Sequence, residues 1–219
     1  MSKIFRAIRR ERGREYILTK QSINFYNMIG NEHRPNRQSF IFISKNCKRY
    51  DGAGTDIIAT GGRVDGTVKI WNTSNGSVIA TLKGGSSNSI ISCDVTNGLV
   101  AGGGSDKTCR VWDIKTQRMV HQLVGHMNKI TCVRFLGGDG RGIITASTDR
   151  QIKVWDISKQ TYRQTTNIVL TSTANSIDVA DDSYTVVSGH TDGGLRFWDI
   201  RTGQRSGEIE STYFFLTGW

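Results

Sequence analysis

Four of the five tryptophans in this 219-residue chain keep a register that narrows the possible folds to very few. Trp71, Trp112, Trp155 and Trp198 follow one another at intervals of 41, 43 and 43 residues, and each has an aspartate six positions earlier, at Asp65, Asp106, Asp149 and Asp192. Two registers kept over four copies define an internal repeat with a period in the low forties. The fullest copy runs from Gly125-His126 through Asp149 to Val154-Trp155-Asp156. Within it a tight turn at Asp149 leads into a strand that places Ile152 and Val154 on one face and Lys153 and Trp155 on the other. The same columns recur in the other copies: Val68, Cys109, Ile152 and Leu195; Ile70, Val111, Val154 and Phe197; Lys69, Arg110, Lys153 and Arg196. Turn signals separate the strands at Asn75-Gly76, Asn97-Gly98, Gly137 to Gly140, Asp181-Asp182 and Thr202-Gly203. The repeat therefore reads as all-β.

The 25 glycines and single proline suit a turn-rich β protein, and no apolar run reaches the length of a membrane span. Cys47, Cys93, Cys109 and Cys132 lack the short paired spacing of a zinc site, and three fall in expected strands, so buried reduced thiols and a cytoplasmic setting are expected, with no metal. The net charge of +10 is unevenly spread. Residues 1–50 carry twelve Lys and Arg against three Glu, which leaves the remainder close to neutral. Ile4, Phe5 and Ile8 with Arg6, Arg9, Arg10 and Arg14 suggest a short basic amphipathic helix, while the bland alternative, a disordered leader, is the expectation for this arm. Glu11 and Glu15 argue against a mitochondrial transit peptide.

The Gly-His start and Trp-Asp end of the 125–156 unit make the chain resemble WD40-repeat proteins, whose blades are four-stranded antiparallel sheets arranged radially in a β-propeller. The resemblance covers about residues 54–210. Blades are expected at 56–82, 89–124, 129–168 and 176–209, with Phe40 to Ile43 supplying the inner strand of the first. It further implies that Trp155, Thr145, His126 and Asp149 form a hydrogen-bonded chain across one blade. By the same counting, the repeat around Trp112 has Gly85 and Gly102 where the His and hydroxyl belong, and that around Trp71 has Gly61. The one around Trp198 keeps Ser188 but lacks the His. Those three blades are expected to rely on packing, with Asp65, Trp71, Asp106, Trp112, Ser188, Asp192 and Trp198 holding the remaining framework positions. The basic column is expected to lie on the Trp faces of neighbouring blades, with cation–π contact.

Within the family, the passages His121 to Ile130, Asp149 to Asp156, Ser188 to Arg201, and the Ser- and Thr-rich Val169 to Ile177 are similar to propellers of the autophagy machinery. What this implies is a non-enzymatic scaffold for protein partners in autophagosome formation, with an autophagy conjugation complex as partner and peripheral membrane contact. The alternatives are an adaptor of another assembly, such as a ubiquitin ligase, and binding of nucleic acid or an anionic surface through the basic arm. No small-molecule substrate, catalytic residue or cofactor is expected. His126 beside Asp149 and Thr145 looks like a catalytic constellation, but the same residues are the family's structural network, and His190 reads as a turn residue. Recognition is expected at the loops holding the aspartates, through Val64, Ser105, Thr148 and Thr191 together with Lys107, Lys129 and Arg150. The expected organisation is a basic arm over 1–50, a four-bladed repeat domain over 51–210 forming an incomplete ring, and a non-repeat tail over 211–219. Uncovered apolar end faces would then make the chain poorly soluble or self-pairing.

Overall fold

The computed structural model describes residues 57–62, 64–72, 75–84, 89–96, 98–137, 139–180 and 182–209, and the backbone alone of 7–11, 14–18, 41–43, 48–49 and 56. Four antiparallel sheets account for the repeat. The first contains β3 (Ile41–Ile43), β4 (Lys48–Arg49), β5 (Asp56–Gly62), β6 (Thr67–Asn72) and β7 (Val78–Lys83), with β3 and β4 both pairing with β5 on its inner edge. The second is β8 (Ile90–Thr96), β9 (Leu99–Gly104), β10 (Cys109–Asp113) and β11 (Met119–Leu123). The third is β12 (Ile130–Leu136), β13 (Gly142–Ser147), β14 (Gln151–Asp156) and β15 (Arg163–Val169). The fourth is β16 (Ala174–Val179), β17 (Thr185–His190), β18 (Leu195–Asp199) and β19 (Gln204–Ile209).

All four sheets are irregular at the same place. The register between the third and fourth strands shifts immediately before Trp71, Trp112, Trp155 and Trp198. A bulge there bends the outer strand and increases its twist, which suits a sheet packed radially against its neighbours. The strand expected over 40–43 is observed over Ile41–Ile43. The N-terminal helix is not: β1 (Ala7–Glu11) and β2 (Arg14–Leu18) pair as an antiparallel hairpin, in a register that sets Arg10 across from Glu15 and Glu11 across from Arg14. Glu11 and Arg14 are three apart and would also suit a helix, whereas Arg10 and Glu15, five apart, face each other only in the hairpin register. Residues 1–6 and the tail over 210–219 lie outside the described residues.

The core lies between successive sheets. One cluster joins Val68 and Ile70 to Cys93, Val95 and Trp112, a second joins Ala101, Cys109 and Val111 to Ile130, Ile143 and Trp155, and a third joins Ile144, Ile152 and Val154 to Ile177, Val186 and Trp198. Close approach needs Gly103: a Cβ there would stand 2.5 Å from Ile130 Cγ2 and 2.6 Å from Val133 Cγ2, on the next blade. Polar bonds lock the same junctions. Ser92 Oγ and Asp94 Oδ2 on β8 accept the backbone N–H groups of Val133 (3.1 Å) and Phe135 (2.9 Å) on β12, and Thr131 Oγ1 donates to the Ala174 carbonyl on β16 (2.6 Å). Among the described residues the sheets succeed one another as an open arc and do not close into a ring. The open end shows in the repeat column itself: Val68, Cys109 and Ile152 are fully buried by the next blade, whereas Leu195 is 43% exposed.

Candidate functional site

The strand alternation that packs Ile152 and Val154 turns Trp155 to the opposite face, where its indole meets β13. Trp155 Nε1 donates to Thr145 Oγ1 at 2.9 Å, Thr145 Oγ1 lies 2.7 Å from His126 Nε2, and His126 Nδ1 lies 2.8 Å from Asp149 Oδ2. A carboxylate only accepts, so Nδ1 carries the proton and Nε2 accepts the Thr145 hydroxyl. Asp149 also accepts from the backbone N–H groups of Met127 (2.9 Å) and Gln151 (3.0 Å). Burial lowers the His126 pKa and outweighs the hydrogen bond and charge of Asp149. For Asp149, burial acts to raise the pKa, but the Met127 amide and His126 prevail and hold the carboxyl below its ordinary range. The hydroxyl that His126 accepts from belongs to Thr145, which is fully buried and whose oxygen also accepts from the Trp155 indole, so this arrangement has no open face at which a substrate could meet it.

The other blades depart from the expected substitutions. Trp71 Nε1 donates to Thr60 Oγ1 at 2.8 Å. Thr60 faces Lys69 in the strand register as Thr145 faces Lys153, and Ser188 faces Arg196. One additional residue between β5 and β6 displaced the residue count, which is why Gly61 was expected at that position. Around Trp112 the hydroxyl position is indeed Gly102, and the indole donates instead to the Lys83 carbonyl at 3.3 Å. The fourth blade, expected to lack a histidine, has one supplied from within its own second strand. Trp198 Nε1 donates to Ser188 Oγ (2.7 Å), Ser188 Oγ lies 2.7 Å from His190 Nε2, and His190 Nδ1 donates to the Ser172 carbonyl (3.2 Å). Residues i and i+2 of a strand share a face, so Ser188-Gly189-His190 carries the signal in the sequence, on the blade's second strand and not in the loop where the repeat pattern places a histidine. Burial lowers the His190 pKa, and the Arg196 charge acts in the same direction.

Among the described residues, the head groups of Arg110, Lys153 and Arg196 in the basic column are bound to polar partners of their own blades. Arg110 and Arg196 fold back onto the aspartates of their own turns, Asp106 at 2.6 Å and Asp192 at 2.8 Å, and Lys153 Nζ donates to Gln164 Oε1 at 3.0 Å. In both arginine pairs the partner lies four residues earlier across the turn, a nearer acceptor than any ring. The Arg196 guanidinium, with Ser172 and the Gly194 amide, holds the Asp192 carboxyl well below the usual range.

The aspartate turns share one edge of the arc. Ser105, Thr148 and Thr191 donate their N–H groups to the carbonyls of Ser89, Lys129 and Thr173, so each turn is tied to the loop that enters its blade's inner strand. Val64, Ser105, Lys107, Lys129, Arg150 and Thr191 are exposed there, and Thr148 is half-buried. The residue after each aspartate adopts a left-handed conformation: Gly66 (φ 61°), Lys107 (φ 70°), Arg150 (φ 63°) and Gly193 (φ 86°). Side chains with a Cβ occupy this region at a cost of roughly 1–2 kcal/mol. Asp106 and Asp149 are turned inward to Arg110 and His126, and among the described residues Lys107, Lys129 and Arg150 take part in no ion pair. Their charge therefore faces solvent without a counter-charge, beside the 74% exposed Met127.

A scan against protein families matches the WD domain, G-beta repeat over residues 76–113, 117–156 and 160–199, and the chain belongs to the WD40 family. It is 39% identical over 152 residues to Autophagy-related protein 16 of Arabidopsis thaliana, covering 68% of this chain and 29% of that protein. Protein tipD of Dictyostelium discoideum is 31% identical over 169 residues, covering 76% of this chain and 27% of the relative. The DENN domain and WD repeat-containing protein SCD1 of Arabidopsis thaliana is 32% identical over 140 residues, covering 62% and 11% respectively. The chain thus spans less than a third of the length of each of these relatives.

Proposed function

We propose that the chain is a non-catalytic WD40 scaffold of the cytoplasm that recruits protein partners during autophagosome formation, with an autophagy conjugation complex bound at the edge formed by the aspartate turns. The observation that carries this reading is the trio Lys107, Lys129 and Arg150, exposed and without counter-charge on loops fixed by the Thr148–Lys129 and Ser105–Ser89 backbone bonds. Rigidly held loops suit recognition because little conformational entropy remains to be lost on binding. The likeness to Autophagy-related protein 16 supports the choice of pathway. Affinity capture of the full chain from cells in which autophagy has been induced tests it: conjugation-complex proteins should dominate the captured set. A set dominated by ubiquitin-ligase subunits would instead identify an adaptor of that assembly.

A second reading rests on charge. Residues 1–50 carry a net +9 in sequence, and each basic residue close to an anionic membrane contributes about 1 kcal/mol of attraction, screened within roughly 8 Å at physiological salt. Peripheral membrane or nucleic-acid binding by the arm should therefore weaken steeply with salt and fall sharply in a chain beginning after Leu18, which loses six of the twelve basic residues and keeps β3 and β4 of the first sheet. Equal binding by that shorter chain, with the first sheet intact, would refute it.

A further inference from the structure

A cleft of about 800 Å³ opens between blades three and four at the edge opposite the aspartate turns, where the β12–β13 and β16–β17 connections face each other. Its floor includes Leu136, Val154 and Ile200, and its rims carry Arg141 on one side and Tyr184 with Arg201 on the other. Arg141 and Tyr184 hold equivalent positions in successive blades, since their carbonyls accept the N–H groups of Ile157 and Ile200 at 2.8 and 3.0 Å. The repeat thus places a guanidinium and an aromatic ring on opposite sides of one groove.

Most of the charge around the cleft is already committed. Asp156 accepts from the Ser158 amide, and Asp182 accepts from the amides of Tyr184 and Thr185 and from the Thr185 hydroxyl. Arg201 is held by both oxygens of Asp199 (3.1 and 2.6 Å) and lies over the Tyr184 ring at 4.8 Å. Arg141 is different. Its side chain is 76% exposed, and its guanidinium approaches Asp139 only to 3.7 Å, while that carboxylate is engaged by the Arg141 backbone N–H at 3.1 Å. A loose pair of this kind contributes little and yields readily to a better acceptor.

We propose that this cleft is a second binding site, distinct from the aspartate-turn edge, and that it takes an extended peptide. The peptide would set an apolar side chain over Val154 and Ile200 against the half-exposed Tyr184 ring, and a carboxylate from a neighbouring residue on Arg141. The cleft volume falls within the range of ligand sites, but the groove is open along its length, so a small molecule would leave much of its surface in water. A chain crossing between the two blades touches both rims. The freed Arg141 guanidinium favours an acidic peptide over a basic one.

Panning a random peptide display library against the full chain tests the proposal, with the selected peptides then titrated by fluorescence anisotropy. Enriched peptides should share an apolar residue adjacent to Asp or Glu. Their affinity should fall about tenfold for Arg141→Glu and for Tyr184→Ser, recover in part with Arg141→Lys, and be unchanged by Lys107→Glu with Arg150→Glu. Both cleft residues are exposed, so unaltered circular dichroism should accompany the loss. Absence of enrichment, or enriched peptides indifferent to Arg141→Glu and Tyr184→Ser, would overturn it. Peptides lost only on the Lys107 and Arg150 changes would also overturn it while leaving the aspartate-turn site in place.

Discussion

Replacing Thr145 by valine removes one hydroxyl from a fully buried position and keeps the side-chain volume almost constant. That hydroxyl both accepts from Trp155 Nε1 and donates to His126 Nε2, at 2.9 and 2.7 Å, so the change leaves two buried polar atoms without partners. An unsatisfied buried group costs about 1–3 kcal/mol, and the pair should therefore destabilise by about 2–6 kcal/mol, a large fraction of a typical domain's stability of roughly 5–15 kcal/mol. Thr145→Ser is the control. It keeps the hydroxyl and loses a single methyl, for about 1 kcal/mol. Urea unfolding followed by tryptophan fluorescence should show a lower midpoint with an unchanged slope for valine, and a much smaller displacement for serine. Midpoints for the two variants that coincide would show that packing, and not the Trp155–Thr145–His126–Asp149 chain, holds the third blade.

Gly103→Ala should cost about 1–3 kcal/mol by thermal unfolding, because the new methyl meets Ile130 and Val133 across the blade junction; a neutral result would mean that the junction yields. Both His126 and His190 lie below the ordinary histidine value of 6.5, so the unfolded chain binds more protons than the folded one just under that pH. The melting temperature should accordingly fall between pH 7.5 and 5.5, with a shallower fall in His190→Gln, and a flat profile would contradict the burial of both rings. Cys109 is pushed up to about 12 by burial, and Cys93 and Cys132 are also buried and free, so none of the three should react with a thiol reagent at pH 8 until the protein is denatured.

The four-fold Trp and Asp registers made the sheets legible in the sequence because side-chain alternation and turn chemistry act over a few residues. What depends on more distant geometry was harder to read. Counting ten residues back from each Trp found Gly102, Thr145 and Ser188, but it missed Thr60, since the β5–β6 turn is one residue longer. His190 was visible as Ser-Gly-His on one strand face, yet only the structure shows it performing from β17 the role that His126 performs from a loop. The arginine column was legible as a column, while its partners were not. Whether Arg110 reaches a neighbouring indole or its own Asp106 depends on a turn geometry in which Lys107 holds a left-handed conformation. The cleft between blades three and four had no sequence signal, because its lining, from Leu136 to Arg201, comes from two sheets that alternation cannot orient relative to each other.

Recognition at the aspartate-turn edge is tested most directly by affinity capture with a K107E, K129E and R150E variant compared with the wild-type chain, both expressed at the same level in cells with induced autophagy. The three side chains are exposed and unpaired, so the melting temperature should not change, while the recovery of conjugation-complex proteins should fall by about tenfold or more, as expected when several charges opposite a complementary surface are reversed. Equal recovery from the variant and the wild type, with both proteins folded, would contradict recognition by this edge.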